Sequence, residues 1–182
     1  GIYITRPDAG NLSNIISCMV AMDHIGYIDI YDVRIILEES AAEIAATCVT
    51  DDEIDRMETL LQHLDNTMLS VKERREADFQ FHIEIAKATK NMLLVILIQT
   101  MKNIFIDMIE TGIFLQGGIA DAAARHRKIL DALKAHDPVL ARQSMHEHLL
   151  VSRENTKKVY LDREKAKLLN KKHDGKTEEA NC

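Results

Sequence analysis

The chain has 182 residues, enough for one sizeable domain or two small ones. Its 46% apolar and 29% charged residues, with only 7 Gly and 2 Pro, exclude a collagenous, low-complexity or largely disordered polymer. Lys and Arg number 23 against 29 Asp and Glu, a net charge of -6, and such a chain repels a phosphate backbone, so it is not expected to grip DNA itself.

Scarce Gly and Pro, together with apolar residues spaced three and four apart, predict an all-α fold of helices joined by short turns. After an irregular opening, a first helix is expected over Leu12 to Met22 and, beyond Gly26, a second over Ile30 to Cys48. Thr50-Asp51-Asp52-Glu53 has the spacing of a capping box and starts a third, running to about Leu69. A fourth is expected from Val71 to Thr89. The fifth, Asn91 to about Ile113, is apolar all round in its first half, which predicts a place in the middle of the bundle. Gly112, Gly117 and Gly118 mark a loop, and Ala120 to Ala135 is the sixth helix. Asp137-Pro138 is a restart signal, since Asp caps free amides and Pro lacks the amide that would be unpaired. The seventh helix then passes Tyr160, and the polar stretch 171–182 is expected to fray.

Cys18, Cys48 and Cys182 are far apart and form no CxxC pair, which argues against a disulfide framework or a thiolate zinc site and for a reducing, cytoplasmic setting. The longest aliphatic run, Met92 to Ile98, is far below the roughly 18 residues that cross a bilayer. A start at Gly1, with no basic leader before an apolar stretch, reads as a trimmed fragment.

On a helical wheel the fourth helix places Asp78, Phe81, His82, Ile85 and Thr89 within one arc of roughly 100°, with Lys72, Glu73, Glu76, Glu84 and Lys87 on the other side. Asp78 and His82 thus face inward one turn apart, where they can share a ligand; a hydrogen-bonded core pair is the plainer alternative. His126 sits at the centre of an apolar arc on the sixth helix. His148 lies on the inner face of the seventh, with His146 turned away. His126 is eleven residues before Asp137 and His148 eleven after it, close to three whole turns, so in an antiparallel hairpin the two imidazoles meet at one level.

Three inward histidines and one inward aspartate on three helices are hard to account for separately. Convergence on one divalent ion, whether Zn, Ni, Mn or Fe, supplies the partner that each needs. His24, His63, His136, His146 and His173 have no such placement and read as surface residues or local caps.

The second helix carries an apolar stripe of Ile30, Val33, Leu37, Ala41, Ile44, Ala45 and Cys48, with Arg34 inside it. A guanidinium there needs a partner. Glu38, four residues on, is the structural candidate; the functional one is a ligand carboxylate held in a two-pronged grip.

With these residues placed, the chain resembles the ligand-sensing domain of the FadR branch of the GntR transcription regulators, the FCD domain. Tyr31-Asp32-Val33-Arg34 with Leu37-Glu38 is similar to the family's opening signature and Asp78-Phe79-Gln80-Phe81-His82 to its central one. Asn91 falls where an Asn commonly follows. His126 with Ile129-Leu130-Asp131-Ala132, then Asp137, Ala141, Met145 and His148-Leu149, resembles the closing pattern. The resemblance spans almost the whole chain.

It implies an antiparallel bundle of six or seven helices around a cavity, with a metal held by an Asp and three His; Asp78, His82, His126 and His148 occupy those positions. Effectors of the family are small organic acids that bind on or beside the metal, so Arg34 and Asn91 become the expected effector contacts. A homodimer is implied as well. The opening Gly1-Ile2-Tyr3-Ile4-Thr5 is similar to the last strand of the winged helix-turn-helix domain that precedes this one, so operator DNA would be read by a missing N-terminal domain. Arg125 departs from the family, which often has Glu or Gln before this His.

The main rival is a metalloenzyme with a mononuclear Asp/His3 site, because a metal with open positions can also activate water. No His has Glu three residues before it, as diiron carboxylate bundles require, and His146-Glu147 is not followed by the second His of a metalloprotease motif. A structural dimerisation module with an incidental metal is the third reading.

Overall fold

Seven helices and no strand make up the described residues of the computed structural model, 9–22, 25–110 and 118–178. They are α1 (Ala9–Ala21), α2 (Tyr27–Cys48), α3 (Asp51–Asp65), α4 (Val71–Ala88), α5 (Met92–Glu110), α6 (Gly118–Lys134) and α7 (Pro138–Glu178). The all-α reading holds. The opening strand and two of the three loop glycines, Gly112 and Gly117, lie outside the described residues, while Gly118 opens α6. No helix among those described is long and apolar enough to cross a membrane.

Local chemistry sets the ends. Thr50 donates its amide to Glu53 Oε2 at 3.0 Å and its hydroxyl oxygen accepts from Glu53 N at 3.4 Å, which closes the expected capping box of α3. Ser70 and Glu73 form a second box at the start of α4, at 2.8 and 3.3 Å. At the start of α7, Asp137 Oδ1 accepts from Leu140 N at 3.0 Å, with Pro138 in the first turn. α3 ends four residues before the expected Leu69, where Asn66 N donates back to Gln62 O at 3.1 Å. α7 runs on through 171–178, the beginning of the stretch that composition marks as a tail.

The turn between α6 and α7 is a Schellman closure: His136 N bonds Leu133 O and Asp137 N bonds Ala132 O, each at 3.0 Å. The residue in left-handed conformation is His136, at φ 49°, where glycine is usual. Its ring Nδ1 lies 2.9 Å from Ala46 O on α2, and that contact offsets the backbone cost.

Two packing expectations are corrected. The helix buried nearly all round is α4, whose residues from Ala77 to Ala88 include nine buried ones, rather than α5, whose Met92 and Leu93 are 70% and 64% exposed. α4 packs against α2, α3 and α5. It tolerates burial on its charged side because Glu84 is paired with Arg56 at 3.2 Å and with Lys87 at 2.6 Å. On α2 the buried arc is also rotated from the predicted stripe: Val33 and Ile44 are 43% and 44% exposed, whereas Arg34, Glu38, Ala41, Ala42, Ala45 and Ala46 are buried. Small alanines let α2 lie close to its neighbours, and the buried charges satisfy each other, so side-chain apolarity alone misplaces the arc.

The main core gathers Met57, Leu61, Phe81, Ile85, Ile129, Leu133, Met145 and Leu149 from α3, α4, α6 and α7. A second cluster of Ile30, Tyr31, Phe79, Met101 and Ile104 lies among α2, α4 and α5.

Candidate metal centre

Three helices converge on one buried cluster. Asp78 and His82 come from successive turns of α4, His126 from α6 and His148 from α7, and all three histidines are buried. The His126 and His148 ring centroids are 4.2 Å apart, as the equal spacing about Asp137 requires, and His82 lies 5.1 Å from each. Phe81 packs edge-on against His126 at 5.0 Å and closes the cluster on its core side. Asp78, its side chain 21% exposed, reaches in with Oδ1 3.2 Å from His126 Nε2. An open groove between α3 and α4, lined by Leu60, His63 and Gln80 among others, carries none of these residues.

The geometry fits a divalent ion. One nitrogen from each of His82, His126 and His148 lies within 4.8 Å of the others, and His82 Nε2 faces His126 Nε2 at 3.1 Å. Two ligand atoms each about 2.1 Å from a tetrahedral ion sit roughly 3.4 Å apart, so these nitrogens are near ligand spacing. Burial, and after it the neighbouring His82, hold His126 well below the ordinary imidazole range; burial and then His126 do the same to His148. Both rings are therefore neutral at pH 7, the form that offers a lone pair. The Nδ1 atoms of His126 and His148 are buried without a hydrogen-bond partner, a cost of about 1–3 kcal/mol each that an apolar core would not retain without compensation.

Charge is arranged around the rings in a second layer. Glu38 on α2 brings Oε2 to 2.5 Å from His82 Nδ1, a close but bent approach that falls short of an aligned hydrogen bond. Arg34 Nε donates to Glu38 Oε1 at 2.6 Å and its Nη2 to Oε2 at 3.4 Å. Burial pushes the Glu38 carboxyl up, but Arg34 and then His82 outweigh it and hold it at about 2. Asp78 goes the other way: burial raises it, and His82 and Arg34 offset only part of the rise. The charge of Arg125 is felt at Asp78, His126 and His148.

Of the residues singled out from sequence, Asp78, His82, His126 and His148 come together. Arg34 stands one residue removed, with two of its nitrogens on Glu38. Asn91 is not brought to the cluster: it is exposed, and its Oδ1 caps α5 by accepting from Leu93 N at 3.1 Å and Leu94 N at 3.2 Å. From His82 to the end of α4 is already roughly 10 Å of helix. His136 and His146 serve local contacts, His146 with Glu39 Oε2 at 2.9 Å, and His63 is exposed; the side chains of His24 and His173 lie outside the described residues. Glu38 is the member that sequence reasoning reduced to a partner of Arg34. Its position on the same helix face as an inward Arg was the available signal.

Among solved structures, the chain is similar to Streptococcus agalactiae GntR at 26% identity and a TM-score of 0.56, covering 69% of this chain and 57% of that one. E. coli McbR/YncC shares the fold at 17% identity and a TM-score of 0.62, covering 76% of this chain and 71% of that one. The chain thus spans little more than half the length of the GntR protein. No curated protein sequence matches it. The FCD domain matches residues 29–150, a span from the start of α2 into α7 that holds all four candidate ligands together with Arg34 and Glu38. On that match the chain belongs to the FCD domain family, the regulatory domain of GntR/FadR-type transcription factors and not a family of enzymes.

Proposed function

We propose that the chain is the metal-dependent sensor of small carboxylates, and the dimerisation domain, of a cytoplasmic bacterial GntR/FadR-type regulator that reads operator DNA through an N-terminal domain. The observation that carries the reading is the meeting of three buried histidines from three helices, with Asp78 against one of them. Asp78, His82, His126 and His148 would hold one divalent ion, which supplies a Lewis-acidic point for an anion.

Charge favours an acid as effector. Arg34 and Arg125 balance Glu38 and Asp78, so the double charge of a bound ion is left uncompensated by the protein. The guanidinium of Arg34 contributes to that field from behind Glu38. A homodimer accords with the family and with exposed Leu12, Ile15 and Met19 along α1 and Met22 just beyond it.

Elemental analysis of a clean preparation tests the first step and a thermal-shift panel the second. About one divalent ion per chain is expected, together with a rise in melting temperature on adding hydroxy acids or dicarboxylates to the metal-loaded protein but not to the metal-stripped one. Neutral amide analogues should have no effect; equal shifts with amides and acids would sink the carboxylate reading. Turnover of any panel compound would favour an enzyme instead.

A further inference from the structure

We infer that Glu38 is a positioning residue for the metal centre: its carboxylate, held by Arg34, orients the His82 ring and fixes the proton on Nδ1, so that Nε2 is the nitrogen presented to a cation. This rests on the reading of the cluster as a metal site.

The argument begins with the two ends of His82. Nε2 faces His126 Nε2 at 3.1 Å inside the cluster, and Nδ1 points outward to Glu38 Oε2 at 2.5 Å. A neutral imidazole carries one proton, and a carboxylate beside one nitrogen draws that proton to itself. The other nitrogen is then left with its lone pair free. Histidines that ligate metals almost always turn their second N–H towards a carboxylate, a carbonyl or water, which fixes ring orientation and raises ligand basicity.

None of the three Nδ1 atoms has an aligned hydrogen bond, but His82 is the ring whose Nδ1 has a carboxylate against it, Glu38 Oε2 at 2.5 Å. The carboxylate is itself fixed. Arg34 takes Oε1 at 2.6 Å and reaches Oε2 at 3.4 Å, and its guanidinium lies 5.5 Å from the centre of the Tyr31 ring. The Tyr31 hydroxyl is in turn 2.7 Å from Thr156 Oγ1 and 3.1 Å from Ser152 Oγ on α7. All of these groups are buried or half-buried. Glu38 therefore sits in a scaffold spanning α2 and α7, while the ring it touches belongs to α4. A burial account of Arg34–Glu38 as a self-sufficient ion pair explains Nε on Oε1 but leaves the approach of Oε2 to His82 without a purpose.

The test uses cobalt(II) alone as probe, titrated into the metal-stripped full chain against a competing chelator, for the native sequence and for Glu38→Gln and Glu38→Ala. The native chain should bind, with Glu38→Ala weaker by about 10–100-fold and Glu38→Gln, which keeps an acceptor but not the charge, in between. Long-range 1H–15N spectra of the metal-stripped protein should show His82 protonated on Nδ1 in the native chain and redistributed towards Nε2 in Glu38→Gln. A merely structural ion pair would not move that tautomer. If Glu38→Ala fails to fold, the near-isosteric Gln variant decides both readouts. Cobalt binding by the native chain, with Glu38→Gln within about twofold and an unchanged tautomer, overturns the positioning role alone. No cobalt uptake by the native chain overturns the metal reading beneath it.

Discussion

His126 and His148 lie on different helices, eleven residues on either side of Asp137, with their ring centroids 4.2 Å apart. The α6–α7 hairpin thus fixes the depth of two candidate ligands through one turn. Replacing either by Ala should abolish retention of a divalent ion through desalting, while His146→Ala should not, because His146 faces Glu39. Elemental analysis of the three variants checks this; equal metal loss from all three would remove the hairpin from the account.

The turn itself is testable through His136, whose left-handed backbone is compensated by the contact to Ala46 O. His136→Ala keeps the strain and loses the contact, and should cost about 1 kcal/mol. His136→Gly loses the contact but relieves about as much strain, so its stability should lie nearer the native value. Denaturant midpoints of the two variants give the order, and a Gly variant less stable than the Ala variant would contradict it.

Most of this centre is legible in the sequence because wheel position and spacing about a turn are local geometry. His82, His126 and His148 need only the helical repeat and the Asp137-Pro138 restart. What escapes is pairing between charged groups on separate helices. Glu84 reads as solvated until Arg56 of α3 covers it at 3.2 Å. Glu38 reads as one half of an i,i+4 pair until α4 delivers His82 to its second oxygen. The rotated face of α2 has the same origin, since a satisfied Arg–Glu pair counts as polar in any periodicity argument yet packs as core. Asn91 shows the opposite case, a motif position whose side chain serves as a helix cap.

Burial of neutral histidines predicts how the metal-stripped protein responds to acid. Folded His126 and His148 titrate below the unfolded value of about 6.5. Between those limits the unfolded chain binds more protons, so stability is present in full above about pH 6.5 and lost as pH falls towards the depressed folded values. The slope should approach roughly 1 kcal/mol per pH unit for each ring. Glu38 adds a second loss at lower pH, from its ordinary 4.5 down towards about 2. Melting temperatures measured from pH 8 to pH 5 without metal check the first window. A flat profile would mean that these rings are not held neutral by the fold.

The Arg34–Glu38 pair should behave as a buried ion pair whose members cannot be removed singly. Both side chains are almost wholly shielded, so Arg34→Met leaves a carboxylate that burial opposes and that no guanidinium holds. Breaking such a pair by removing one partner costs about 3–5 kcal/mol, whereas replacing both by apolar groups of similar volume is often neutral or better. Arg34→Met with Glu38→Met should therefore recover most of the stability lost in either single variant, measured by denaturant unfolding of the metal-stripped chain. Metal affinity should not follow. In the double variant His82 still lacks the carboxylate on Nδ1, so cobalt binding should stay as weak as in Glu38→Ala even where the fold is restored. Stability and affinity returning together would instead make the pair an ordinary element of the core, with no separate bearing on the centre.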